Sequence, residues 1–93
     1  MSGYFLSIEA DEDIQDIYVY SNAKWGEDQA RAYVFSLFDT FEAIARNPRI
    51  GRLRSELGDG IRSLPHASHL VFFMEWQDEV AVLRAAPDRF RAR

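Results

Sequence analysis

Two long stretches of this chain carry apolar residues at three- and four-residue steps, and a single glycine separates them. In the first, Ala10, Ile14, Ile17, Tyr18, Ser21 and Trp25 make one stripe of a helix over 10–25 that begins in the acidic cluster EADED. In the second, Ala30, Tyr33, Val34, Leu37, Phe38, Phe41, Ile44 and Ala45 make a broad face over 27–46. Acids in each first turn, Glu27 and Asp28 in the second, complement the positive end of the helix dipole. Gly26 stops the first helix and Asn47-Pro48 the second. With so short a link the helices must return on one another as an antiparallel hairpin, both stripes facing one core.

A sheet has to cover that core. YFLSIE at 4–9 alternates as a strand does, and IRSL at 61–64, HLVFFMEW at 69–76 and VAVLRA at 80–85 supply three more. The connections PHAS and QDE are short enough to make the last three an antiparallel meander. The order β-α-α-β-β-β predicts an α+β fold, with the helical hairpin packed on one face of a small antiparallel sheet. No repeat or low-complexity tract divides residues 1–93, so a single domain is expected. Ala85, Ala86 and Pro87 are expected to shorten the last strand, and PDRFRAR to form a poorly ordered tail.

A domain this small buries only about 60–65% of the surface its unfolded chain exposes, so its stability margin is thin and a stabilising partner fits it. The chain has no cysteine, which excludes disulfides and thiolate metal sites. Its longest apolar run, LVFFM, is too short to span a bilayer, and a soluble, cytoplasmic protein with no membrane association is the expectation.

Charge is unevenly divided. Residues 1–42 hold nine acids against Lys24 and Arg31, a net of −7, whereas residues 43–93 hold nine arginines against six acids, a net of +3. Arg46, Arg49, Arg52, Arg54 and Arg62 gather in RNPRIGRLRSELGDGIRSLP. Such a cluster suits a polyanion, an acidic protein partner, or simply a solvated connection. The overall net charge of −4 argues against a general nucleic-acid coat, and no direct sequence-specific nucleic-acid binding by the chain alone is expected. His66 and His69 read as a polar turn residue and a strand-edge residue, and two histidines without a third ligand make no zinc site. Glu56 and Arg62 read as a surface ion pair. No cofactor or metal is implied.

The ordered series Ala10, Asp13-Ile14, Ile17, Tyr20, Trp25-Gly26, Gln29-Ala30, Tyr33, Leu37, Phe41, Ile44-Ala45, Pro48, Gly51-Arg52, Glu56-Leu57, Ile61-Arg62, His69, Phe73 and Val82-Leu83-Arg84 resembles the ParE branch of the RelE/ParE toxin superfamily. The resemblance implies a small toxin of a bacterial toxin–antitoxin pair, with a ParD-like antitoxin as partner and DNA gyrase as target. Tyr20, Trp25 and Phe41 are read as core rings, Trp25 and Phe41 from their helix stripes, and the resemblance places Arg62 and Arg84 on neighbouring strands. RelE-like members instead cut messenger RNA, which needs a base, cations around the phosphate and an acid for the leaving oxygen. Where that branch carries an arginine three positions before the aromatic of its strand, this chain has Leu70, and no tyrosine or histidine follows Phe73. A binding protein rather than an enzyme is therefore expected; a ribosome-dependent nuclease and a non-toxic antitoxin-binding relative are the alternatives.

Candidate contacts for target or antitoxin are the basic residues Arg52, Arg54, Arg62, Arg84 and Arg89, together with apolar residues set outside the buried stripes. At 100° per residue Val19 falls opposite the stripe of the first helix and Phe35 outside that of the second. Trp76 and Phe90 complete the apolar set.

Overall fold

A computed structural model describes residues 3–88. Strand β1 (Tyr4–Leu6) leads into helices α1 (Ile8–Trp25) and α2 (Glu27–Arg46). A short 3-10 turn (Pro48–Ile50) follows, then strands β2 (Arg52–Leu53), β3 (Arg62–His66), β4 (His69–Trp76) and β5 (Glu79–Pro87). The sheet order is β1-β5-β4-β3-β2, with β1 parallel to β5 and every other pair antiparallel. No helix among the described residues is long and apolar enough to cross a membrane.

Gly26 ends one helix and begins the next. Its N–H donates to the Asn22 carbonyl at 2.9 Å and its own carbonyl accepts from Ala30 N at 3.0 Å. Its φ of 94° is open to glycine and strained for other residues, which is how one residue can reverse the chain. The hairpin lays Ala10, Ile14 and Ile17 of α1 and Leu37, Phe41 and Ile44 of α2 on Val71, Phe73, Val80, Val82 and Ala85 of the sheet. Phe41 is fully buried at the centre, edge-on to Tyr4 at 5.6 Å and to Phe38 at 5.9 Å.

Several sequence expectations shift. The first strand ends at Leu6 because Ser7 caps α1: its Oγ accepts from Ala10 N at 2.9 Å and donates to the Leu83 carbonyl at 2.9 Å. β3 extends through Pro65 and His66, which leaves a two-residue turn at Ala67-Ser68. The short β2 is a strand that the alternation did not reveal. β5 runs through Pro87 rather than ending early at the alanines.

A bulge explains β5. Phe72 faces Arg84 and Phe73 faces Val82, so Leu83 is an extra residue. Plain alternation would carry Val80 and Val82 inward and then Arg84 into the core. The bulge moves the phase by one residue, so Ala85 fills the core at 2% exposure and Arg84 is released. Beyond the end of β1, the start of α1 takes up the open edge of β5. Ser7 N donates to Val82 O at 2.9 Å, Ser7 Oγ bonds Leu83 O, and Asp13 Oδ2 accepts from Ala85 N at 2.9 Å.

Candidate functional site

The arginines divide into committed and uncommitted groups. Arg84 forks onto Asp13, with Nε at 2.8 Å and Nη2 at 2.9 Å from its two carboxylate oxygens. Burial pushes the Asp13 pKa up, but the Arg84 and Ala85 N–H bonds together with the Arg84 charge outweigh it, and the net shift is downward. Asp13→Ala orphans the Ala85 N–H at the sheet edge and is expected to cost about 1–3 kcal/mol in a urea titration. Arg84→Ala leaves that backbone bond in place and should cost less.

Arg62 and Arg84 are not on adjacent strands, since β4 lies between β3 and β5. Arg62 instead donates from Nη1 to the Gly51 carbonyl at 2.9 Å. Glu56 pairs with Arg54 at 2.7 Å rather than with Arg62, and hydrogen bonding from Arg54 lowers its pKa. Arg54 also reaches Ser63 Oγ at 3.2 Å and sits 5.7 Å from the centre of the Phe72 ring. Among the described residues, Arg46, Arg49, Arg52 and Arg62 have no carboxylate within 4.0 Å.

The apolar surface also departs from expectation. Val19, Phe35 and Trp76 are 66%, 58% and 54% exposed. Phe41 is buried, but Tyr20 and Trp25 are 59% and 52% exposed, which corrects their assignment to the core. They stand edge to face at 6.2 Å, with Lys24 Nζ 5.1 Å from the Trp25 ring centre. Tyr20, Ser68 and His69 are shared by two adjoining hollows of about 520 and 220 Å³. One runs past Asp13, Asp16 and Ile17 to Ala85 and Pro87, and the other past Trp25, Gln29 and Tyr33. The signal for Tyr20 lay in the helix angle, which sets it roughly 90° from the centre of the stripe through Ile14, Ile17 and Ser21. Trp25 follows the stripe but stands on the last residue of α1. Arg89 and Phe90 lie outside the described residues.

The two histidines join α2 to the β3–β4 turn. Thr40 Oγ1 meets His66 Nδ1 at 2.7 Å, and Ser36 Oγ meets Nε2 at 2.8 Å while donating its proton to the Tyr33 carbonyl at 2.6 Å. Nε2 must therefore donate to Ser36, and neutral His66 accepts from Thr40 at Nδ1. Tyr33 Oη lies 2.7 Å from His69 Nδ1. Burial lowers both histidine pKa values, with the His66 charge adding to the effect at His69 and Asp13 opposing it.

The fold thus favours the neutral form of both rings, while the unfolded chain takes up protons below about pH 6.5. Their contribution to stability is fully present above that pH and is lost as pH falls through the folded-state values. The unfolding midpoint should drop between pH 7.5 and 5.5, and His66→Asn should flatten the slope. An unchanged slope in that variant would assign the pH dependence elsewhere.

Residues 4–88 match the family described as the ParE toxin of the type II toxin–antitoxin system parDE. Toxin ParE1 of Caulobacter vibrioides is 40% identical over 73 residues, covering 78% of this chain and 76% of that protein. Toxin ParE1 of Mycobacterium tuberculosis is 38% identical over 72 residues, covering 77% and 74%. A solved structure described as the chromosomal ParDE TA system from P. aeruginosa superposes with a TM-score of 0.79 at 20% identity, over 94% of this chain and 95% of that one, and supports the fold. With its helical hairpin, five-stranded sheet and match over residues 4–88, the chain belongs to the ParE toxin family of type II toxin–antitoxin systems.

Proposed function

We propose that this protein poisons DNA gyrase by binding and is neutralised in the cytoplasm by a ParD-like antitoxin. The reading rests first on the family match over residues 4–88. Arg46, Arg49, Arg52 and Arg62, with no carboxylate within 4.0 Å among the described residues, give it a surface for an anionic partner, whose rim contacts weaken with salt. The hollows around Tyr20 and Trp25 suit apolar side chains of an antitoxin helix. Trapping an enzyme needs complementary surface and no proton transfer. Cleaving RNA needs a cation at the phosphate and an acid for the leaving oxygen, and Leu70, opposite Pro65 and Ala86 in the sheet, supplies neither.

Expression without antitoxin should give filamentous cells, a DNA-damage response and double-strand breaks while bulk messenger RNA stays intact. In vitro, supercoiling by gyrase should be inhibited or its cleavage complex stabilised. Messenger RNA cut in the ribosome with gyrase unaffected would replace this reading by the nuclease. A folded, well-expressed chain that leaves growth unchanged would make it a non-toxic antitoxin binder.

A further inference from the structure

On the helix-facing side of the sheet, beside the 3-10 turn, a small hollow of about 220 Å³ is lined by Pro48, Arg49, Leu53, Gly60, Arg62, Phe73 and Glu75. We infer that Arg49 and Arg62 form a site for a protonated phosphate group, with Glu75 accepting the hydrogen bond from its P–OH. This goes beyond gyrase binding and does not depend on it.

Two guanidinium groups bear on one hollow, and neither has a carboxylate within 4.0 Å among the described residues. Glu75 lines the same hollow and is therefore farther than that from both. Arg62 is held in place: it is half-buried, its Nη1 is fixed on the Gly51 carbonyl at 2.9 Å, and its backbone is paired between Leu53 and Phe73. Its other N–H groups remain to bind a ligand, in the fork that matches a phosphate edge. Arg49 comes from the turn on the other side. Buried Gly51 brings that turn against the sheet, for a Cβ there would lie 2.5 Å from Phe73 Cζ and 3.0 Å from the Ser63 carbonyl.

Glu75 decides the class of anion. A carboxylate beside two cations repels a fully deprotonated oxyanion and accepts from one that keeps a proton. A phosphomonoester, with a second pKa near about 6, keeps a proton on about a tenth of its molecules at pH 7 and on a rising share below that, whereas sulfate and a phosphodiester keep none. The ligand is therefore inorganic phosphate or a terminal phosphate.

The test is amide NMR of the whole chain at pH 6.5, titrated with inorganic phosphate or sulfate at constant ionic strength. Phosphate should shift the amides of Arg49, Gly51, Gly60 and Arg62 saturably, with sulfate at least tenfold weaker. Arg49→Gln, at an exposed position with no hydrogen bond to lose, should weaken phosphate at least tenfold without changing the rest of the spectrum. Glu75→Gln should bring sulfate to parity with phosphate. Equal binding of the two anions by the unsubstituted chain would overturn the selection by Glu75. An absence of saturable shifts, or shifts unaltered by Arg49→Gln, would overturn the site itself. Competition by a 5′-phosphorylated oligonucleotide, but not by its 5′-hydroxyl counterpart, would support the site and assign it to a nucleic-acid end. Binding of inorganic phosphate with no such competition would support it as a site for the free anion.

Discussion

Phe41→Ala is expected to lower stability by about 3–5 kcal/mol, most of the margin of a domain this small. The ring is fully buried, touches Tyr4 and Phe38 edge-on, and lies where both helices meet the sheet. Its removal leaves a cavity that three elements would have to move to close. At about 4–8 °C per kcal/mol, the variant should be partly or wholly unfolded at growth temperature. Trp25→Ala should behave differently although it deletes a larger ring. That side chain is half-exposed, and its described contacts are with Tyr20 and Lys24 at the surface, so the melting temperature should fall only slightly. In the proposed role of the Tyr20–Trp25 surface, the same variant should lose antitoxin affinity while its circular dichroism is retained. A melting temperature as low as that of Phe41→Ala would show Trp25 to be a core residue after all.

Gly51→Val should be the most damaging change outside the central core. Gly51 has an ordinary extended conformation with φ −82°, so the obstacle is space and not backbone strain. A Cβ would meet Phe73 Cζ at 2.5 Å, Phe73 Cε1 at 2.9 Å and the Ser63 carbonyl at 3.0 Å. Phe73 is fully buried and cannot swing out, and the Ser63 carbonyl belongs to a paired strand. Overpacking of this kind costs about 1–3 kcal/mol for alanine, and valine adds two methyl groups to the clash. The loss exceeds the roughly 0.4–1 kcal/mol that replacing a glycine gains by restricting the unfolded chain. Phe73→Leu should partly relieve Gly51→Ala, giving a favourable coupling in a double-mutant cycle measured by urea unfolding. Additive effects would mean that the turn, not the ring, yields.

Much of the fold was legible because it is written in neighbours along the chain. The helix period, the acids at the helix starts, Gly26 and Asn47-Pro48 are local signals, and they gave α2 its observed bounds and α1 its last turn. The start of α1 was misread because Ser7 and Ile8 extend the alternation of Tyr4 and Leu6; Ser7 is a cap only because the chain turns there. The candidate surface was less legible. Exposure at Val19 and Phe35 followed from helix angle, whereas Tyr20, in the ParE series, and Trp25, on the helix stripe, were read as core residues and the core reaches neither.

The sequence by itself determined a helical hairpin on a small sheet, the segregation of acids from arginines, and membership of the ParE series of residues. Tertiary structure decided which arginines are available to a partner. Arg84 is taken by Asp13, 71 positions away, because a bulge at Leu83 turns it out of the core and the open edge of β5 draws the start of α1 against it. Arg54 is taken by Glu56 and Ser63, while Arg49 and Arg62 keep their charge free around one hollow. Charge content is a property of composition, but pairing depends on side-chain distances of a few ångströms, and a one-residue change of strand phase is enough to remake those.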